Sequence, residues 1–248
     1  MVYRLDKWTW QETAKYLTDD DRVILPIGSN EQHGPIGELG TDSVLAMWAA
    51  ELVSREFSVP IAPLVPYGMS SHHTCFAGTV SLTDVTLIAL ISEIVESLYR
   101  HGFRHILIIN GHGGNSRPLT YAVETLNRRY SDLRVFNDPF CPLFYVETGE
   151  LADVFRSFGD GVSHACAAEI SLYHAIIESD FRDRSFITDE SVTLGVHGQG
   201  TQGADPENFA TLFPSGSKGD QRLADINIGR AIKQLMGAEL IKQVQKLW

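Results

Sequence analysis

The chain has 248 residues, a formal net charge of −11 and 44% hydrophobic residues. This length and composition are typical of one globular domain, and the negative charge disfavours nucleic acid or an anionic membrane surface as a partner. The three cysteines lack a CxxC spacing, no signal peptide is evident, and no apolar run reaches the roughly 18 residues of a membrane span. We therefore expect one cytoplasmic domain over residues 1–248.

The first strong pattern is a buried strand at 22–27 that leads into a glycine-rich loop. The segment LPIGSNEQHGPIGELGTD at 25–42 holds three side chains of the types that bind metal ions: Glu31, His33 and Asp42. Each of these residues alone would more often be a solvated surface group. Together they follow the carboxyl end of a strand, where open α/β sheets place their chemistry, and we predict the functional site there.

Beyond this loop, helical and strand patterns alternate. Apolar residues at helical spacing predict helices over 9–18, 41–55, 83–100, 116–129, 170–177 and 223–247, the second of them capped by Thr41 or Asp42. Apolar runs predict further strands at 59–65, 105–109 and 135–136, and the prolines of the first indicate a position near a sheet edge. The order of elements is typical of an α/β domain with a mostly parallel central sheet.

A second glycine-rich loop, INGHGGN at 109–115, follows the predicted strand 105–109. It has neither the GKS or GKT ending nor the GxGxxG spacing of phosphate-binding loops. Because its glycines allow the backbone to fold tightly around His112, we expect this imidazole to face the same crevice as the first loop. His112 is a fourth candidate metal ligand.

Two loops contain candidate contacts to a substrate. Tyr67 and His73 flank a strand end, and in extended backbone at most one of the adjacent His72 and His73 would point inward. We predict Tyr67 and His73 as substrate residues, with His73 alternatively a supporting group or a surface residue. The aromatic stretch 139–145 either walls a pocket or packs on the core or another subunit. Residues 190–220 are rich in Gly, Ser and Thr and predict a long ordered loop that serves as a lid or interface.

Four segments together resemble the creatininase (creatinine amidohydrolase) family: LPIGSNEQHGP and GTD within 25–42, YGMSSHH from 67, INGHGGN at 109–115, and HACAAEIS at 164–171. The resemblance implies a three-layer α/β/α sandwich with two divalent metal ions, of zinc, manganese or iron, in each subunit of a homohexamer. Carried over by position, Glu31 and His112 bind one ion, His33 binds the other, and Asp42 bridges both.

The chain departs from the family pattern in ways that bear on its ligands and substrate. Gly114 stands where creatininase has a metal-binding Glu, and Glu169 is the natural replacement. Asp160 stands four residues before His164, where creatinine-handling members have tryptophan, and Ile36 begins a segment that replaces the commoner His-Leu-Pro. Creatinine is therefore not expected to be the substrate.

The leading functional hypothesis is a metal-dependent hydrolase in which a metal-bound hydroxide cleaves the C–N bond of a cyclic amide or formamide. His164 and Glu169 would be catalytic, with His164 carrying the proton to the leaving group. The same centre suits hydrolysis of a cyclic ketone or lactone, such as an oxidised cyclitol of the dehydro-inosose type. A protein of another class, a metal-stabilised oligomer without turnover, is the third alternative.

Overall fold

The computed structural model describes residues 2–159, 162–182, 184–187 and 206–248. Its helices are α1 Trp10–Tyr16, α2 Thr41–Phe57, α3 Asp84–His101, α4 Ser116–Arg129, α5 Glu150–Arg156, α6 Ala167–Ile177, α7 Pro206–Leu212 and α8 Ile226–Gln245. Its strands are β1 Arg22–Ile27, β2 His105–Asn110 and β3 Arg134–Phe136. Single 3-10 turns lie at Leu5–Lys7, Ser71–His73, Gly113–Asn115, Cys141–Tyr145, Arg184–Phe186 and Gln221–Leu223. Among the described helices, none is long and apolar enough to cross a membrane.

The strands form a parallel sheet in the order β1-β2-β3. The segment 59–65 runs parallel to β1 on its other side, with isolated bridges from Ile61 to Ile24 and from Val65 to Ile27. Pro60 and Pro63 have no N–H to donate, so the segment pairs with β1 only at these points. The position near a sheet edge predicted from the prolines is confirmed, with Arg4 pairing to Ile61 on the outer side, but the continuous strand predicted over 59–65 is wrong.

Helices cover both faces of the sheet and make the predicted three-layer α/β/α architecture. Successive side chains of a strand point to opposite faces, so Ile24 packs with α2, α6 and α8, while Val23 and Leu25 pack with α3 and α4. Residues 23–27 of β1 and 106–110 of β2 are all buried, as expected for strands covered on both sides. The loops that carry the candidate residues leave this sheet at its carboxyl edge.

Most predicted elements are present, and the differences are local. The cap predicted at Thr41 or Asp42 is wrong: the N-cap residue of α2 is Gly40, which has no side chain, while the Thr41 hydroxyl donates to the Glu38 carbonyl oxygen and Asp42 faces His33. Neither α5 nor the turn at Cys141–Tyr145 was predicted. α7 occupies part of the loop predicted over 190–220, which is therefore wrong at 206–212; residues 190–205 lie outside the described ranges.

Candidate metal centre

The two glycine-rich loops and the first turns of α2 and α6 meet at the carboxyl edge of the sheet. They bring together all five residues that the sequence suggests as metal ligands: Glu31, His33, Asp42, His112 and Glu169. Three groups of three residues within this cluster and its neighbours hold their ligand atoms within 4.8 Å of one another. Positions far apart in the sequence thus form one site, as the strand-end argument predicts.

Asp42 lies at the middle of this cluster. One carboxylate oxygen, Oδ1, is 3.2 Å from Nε2 of His33, and the other, Oδ2, is 3.2 Å from Nδ1 of His112. Ligand atoms around a tetrahedral zinc ion lie about 3.3 Å apart when the bonds are near 2.0–2.1 Å. A carboxylate whose two oxygens face two different imidazoles at this spacing has the position required to bridge two cations.

Several atoms of the cluster are buried without a hydrogen-bond partner among the described residues. They include Oε1 of Glu31, Nε2 of His33 and Oδ2 of Asp42, and these three side chains are at most 2% exposed. A buried polar group left unsatisfied costs roughly 1–3 kcal/mol, so several at one point indicate a missing partner. Divalent cations fit this donor set, which combines carboxylate oxygens with imidazole nitrogens.

Backbone carbonyls orient the two histidines of the cluster. Nδ1 of His33 lies 3.0 Å from the Glu31 carbonyl oxygen, and Nε2 of His112 lies 2.9 Å from the Met69 carbonyl oxygen. A carbonyl only accepts, so each ring donates from that nitrogen, and in its neutral form it carries a lone pair on the other one. The nitrogens that face Asp42 are therefore the ones that can bind a metal ion once they have lost their proton, as in metal sites where a second hydrogen bond fixes the ligating nitrogen.

The electrostatics of the cluster favour positive charge at its centre. Burial raises the pKa of Glu31 to about 7, although the His112 imidazole acts in the opposite sense. Burial would lower the pKa of His33, but the Asp42, Glu169 and Glu31 carboxylates together outweigh this effect and raise it to about 10. Burial would also lower the pKa of His112, but Glu31 and Asp42 raise it to about 9. Buried carboxylates that hold imidazole protons this firmly provide an environment suited to divalent cations.

The structure gives a steric reason for the glycine at position 114. A Cβ atom there would lie 2.3 Å from Nε2 of His112 and 2.4 Å from the Met69 carbonyl oxygen, so no larger residue fits this arrangement. Glu169, in the first turn of α6, instead directs Oε2 to a point 3.8 Å from Nε2 of His33. The same oxygen accepts a 2.7 Å bond from the N–H of Ala165, which has a left-handed φ of 54°.

His164 and His73 stack beside Glu31, with ring centroids 4.1 Å apart. Nδ1 of His164 lies 3.3 Å and Nε2 of His73 lies 3.6 Å from Oε1 of Glu31. His72 is also buried, because residues 71–73 form a 3-10 turn instead of extended backbone, so the expectation that at most one of the two histidines is turned inward is wrong.

Other candidate residues are less closely tied to the cluster. Tyr67 is 45% exposed, so its substrate role stays a prediction. Asp160 lies outside the described residues. Sequence reasoning missed Gln32, which contacts both stacked histidines, and Phe209 of α7, which packs edge-on against His73 at 4.5 Å. Gln32 could have been noticed because it stands between two proposed ligands, whereas no local pattern marked Phe209.

Comparisons with known proteins identify relatives of this chain. The family model described as Creatinine amidohydrolase matches residues 6–244. A mycofactocin precursor peptide peptidase of Mycolicibacterium smegmatis is 41% identical over 110 residues, which are 42% of this chain and 44% of that protein. A 3-dehydro-scyllo-inosose hydrolase of Thermotoga maritima is 32% identical over 106 residues, which are 42% of this chain and 34% of that protein. The matched regions thus span less than half the length of these curated relatives.

The fold also matches a solved structure. A mutant creatininase of the Zn-Zn type superposes on the chain with a TM-score of 0.82 and 21% sequence identity, covering 99% of this chain and 98% of that one. At this identity the likeness shows the fold, and it agrees with the α/β/α layers described above.

Proposed function

The chain belongs to the creatininase family, and from this premise we propose that it is a hydrolase that uses two divalent metal ions to cleave a C–N bond. The observation that carries the proposal is the placement of Asp42, whose two oxygens face His33 and His112 at 3.2 Å each. A buried carboxylate with a purely structural role would be expected to accept a hydrogen bond on each oxygen. Oδ2 of Asp42 has no hydrogen-bond partner among the described residues.

We assign the ligands in two half-sites. Glu31 and His112 would hold one ion and His33 and Glu169 the other, with Asp42 shared between them. Two such ions, of zinc, manganese or iron, would supply a water molecule with a lowered pKa and would polarise a carbonyl group. Three carboxylates suit two dications, since they offset most of the positive charge in a site with little solvent.

The open side of the cluster indicates where a substrate would enter. The side chains of His164 and Glu169 are 15% and 13% exposed, whereas those of Glu31, His33 and Asp42 are nearly inaccessible. A substrate approaching from this side meets His164 first, so His164 is the residue we propose to act directly on the substrate. His73 is fully buried behind it and supports the site without direct contact to the substrate.

We propose a cyclic amide or formamide as the substrate class, and not creatinine. The relative from Mycolicibacterium smegmatis is named as a peptidase, which also hydrolyses a C–N bond, so short peptides belong among the candidates. A cyclic ketone or lactone is the second candidate, favoured by the similarity to a 3-dehydro-scyllo-inosose hydrolase. These reactions all begin with attack of an activated water on a carbonyl group and differ in the leaving atom, which is nitrogen for an amide, carbon for a ketone and oxygen for a lactone.

A substrate screen with zinc-loaded protein tests the proposal. The panel contains creatinine, a cyclic amide, an N-formyl amine, a short peptide and a cyclic ketone, and the products are identified by mass spectrometry. We expect turnover of an amide or formamide that is lost in His164→Ala while the zinc content is kept. Metal-loaded protein without turnover on any member would favour the metal-stabilised oligomer.

We also propose that residues 1–248 form one domain and that the chain assembles as the homohexamer implied by its family. Analytical ultracentrifugation would distinguish this assembly from a monomer of 27.5 kDa. Cytoplasmic location stays a prediction from the sequence.

A further inference from the structure

Gln32 lies between two proposed metal ligands, and its side chain is locked by backbone groups. Its Oε1 accepts a 2.9 Å bond from the N–H of Gly34, and its Nε2 donates a 2.9 Å bond to the carbonyl oxygen of Gly216. An N–H can only donate and a carbonyl can only accept, so these contacts fix which end of the carboxamide is oxygen. The residue is only 6% exposed, and Gly216 has a φ of 83° where it approaches the amide.

The amide nitrogen of Gln32 also faces both stacked histidines. It lies 2.8 Å from Nε2 of His164 and 3.0 Å from Nδ1 of His73. Since an amide NH₂ group has no lone pair to offer, a ring N–H pointing at it would place two donors against each other. Each ring must therefore present a lone pair to Gln32 and, when neutral, carry its hydrogen on the opposite nitrogen.

The opposite nitrogens are the ones that face the proposed cation site. Nδ1 of His164 and Nε2 of His73 lie 3.3 and 3.6 Å from Oε1 of Glu31. Both rings are thus oriented by the same amide and turn the same kind of group toward Glu31, but neither makes a hydrogen bond to Oε1, which stays available to a cation. The amide has two hydrogens for three acceptors, so the Gly216 carbonyl oxygen takes one and the two ring nitrogens share the other, and no donor in the set faces another donor.

We propose that Gln32 is a positioning residue that sets the tautomers of His73 and His164, so that both rings direct an N–H toward the centre. This inference rests on the proposed function, because the centre is the place where substrate would bind. An N–H nitrogen has no lone pair for a cation, so neither histidine is a metal ligand, although geometry groups both with Glu31. His164 then acts as a hydrogen-bond donor to the substrate, which competes with the proton-carrying role suggested by the sequence.

Neutron diffraction on deuterium-exchanged crystals of the zinc-loaded protein tests the tautomers directly. We expect deuterium on Nδ1 of His164 and on Nε2 of His73, with zinc bound to neither ring. Deuterium on Nε2 of His164, or zinc coordinated by either histidine, would overturn the inference. Absence of zinc from the carboxylates would instead count against the proposed function, and the tautomers would still be visible.

Variants at position 32 test whether the amide is the cause. In Gln32→Glu a carboxylate replaces the donor, so we expect deuterium to move to Nε2 of His164. Gln32→Met, which is similar in length but makes no hydrogen bond, is the control if the charged variant fails to fold. In Gln32→Met, we expect deuterium on both nitrogens of His164 in partial occupancy. Unchanged tautomers in both variants would show that Gln32 does not set them.

Position 164 provides a kinetic test that separates a donor from a proton carrier. The amide nitrogen of an asparagine can occupy the place of Nδ1, so His164→Asn keeps an N–H there but cannot carry a proton. We expect His164→Asn to stay within about tenfold of the parent kcat, and His164→Ala to lose about 10²–10³, the range for one lost oxyanion donor. Equal losses in the two variants, at normal zinc content, would contradict the donor role.

Discussion

The two ends of the sheet carry the same pair of residue types in different surroundings. At the amino end, Nδ1 of His105 lies 2.6 Å from Oδ1 of Asp21, and both side chains are about 40% exposed. At the carboxyl end, Nε2 of His33 lies 3.2 Å from Oδ1 of Asp42, and both side chains are almost fully buried. The tighter pair is the one on the surface. Distance between an imidazole and a carboxylate therefore does not identify a functional site.

Burial and unsatisfied atoms distinguish the two ends. At the amino end, neighbouring polar groups pair with one another. The Asp21 carbonyl oxygen accepts from the backbone N–H groups of Arg104 and His105, and Arg22 pairs with Asp20 at 2.6 Å. The carboxyl end leaves buried atoms of Glu31, His33 and Asp42 without partners within the described structure. Exposed ion pairs typically contribute 0–1 kcal/mol, whereas a buried charged cluster is stable only with suitable partners. The following predictions test this contrast.

The largest effect is expected for Asp42→Ala. Because Asp42 is the one carboxylate among the described residues that faces both His33 and His112, its removal should lose both ions together, whereas His33→Ala should lose mainly one. Elemental analysis of zinc-reloaded protein should give about two ions per chain for the parent, about one for His33→Ala and close to none for Asp42→Ala. Asp21→Ala, at the other end of the sheet, is the matched control and should keep both.

Two outcomes would contradict this prediction. Equal metal loss in Asp42→Ala and His33→Ala would reject a bridging role for Asp42. A parent protein that binds no more than about one ion after reloading with zinc, manganese or iron would reject the two-ion centre.

The second prediction concerns Glu169, the proposed replacement for a ligand at position 114. Its Oε2 is the carboxylate oxygen 3.8 Å from His33 on the exposed side of the cluster, so Glu169→Gln should lose about one ion, as His33→Ala does. The glutamine keeps an acceptor for the Ala165 N–H, which preserves the start of α6. Full zinc retention by a folded Glu169→Gln protein would mean that Glu169 supports the site without binding an ion.

The third prediction is a pH dependence of metal affinity. Burial opposes charge on His33, but Asp42 raises its pKa to about 10, so the metal-free cluster holds this proton across the neutral range. A cation must displace the proton, and raising the pH weakens this competition, so affinity should increase from pH 6 to pH 9. The expected slope is about tenfold per pH unit for each proton displaced. Competition with a chelating dye at three pH values measures it, and a flat profile would argue against ligation by His33.

Much of this site could be predicted from the sequence because most of its candidate ligands are local to two strand ends. Apolar runs identified β1 and β2, and the glycine-rich loops after them identified Glu31, His33, Asp42 and His112. A parallel sheet brings such loops together at one edge without further information. Membership of the creatininase family and the α/β/α fold, which the resemblance implied, are confirmed.

Residues that depend on long-range packing could not be predicted. Gln32 bonds to Gly216 across 184 positions, and Gln221 bonds to the His33 carbonyl across 188. α7 could not be predicted because it lies in a polar stretch. Its Phe209 packs against the histidines and belongs to no apolar repeat in the sequence. His72 and His73 are both buried because they lie in a 3-10 turn, which no local sequence pattern indicates.

The smallest effect is expected at the amino end of the sheet, in His105→Asn. The imidazole is 41% exposed and its pairing with Asp21 is accessible to solvent, so salt screens the interaction and side-chain freedom offsets part of it. The free energy of unfolding should therefore change by no more than about 1 kcal/mol, and less in 0.5 M salt than in 0.05 M salt. Urea denaturation of His105→Asn, Asp21→Ala and the double variant measures the coupling between the two side chains, and zinc content should be unchanged in all three. A coupling free energy well above 1 kcal/mol would mean that the short distance of this pair determines its strength despite its exposure. Loss of zinc in any of the three variants would mean that this end of the sheet affects the metal centre. Either result would contradict the contrast between the two ends.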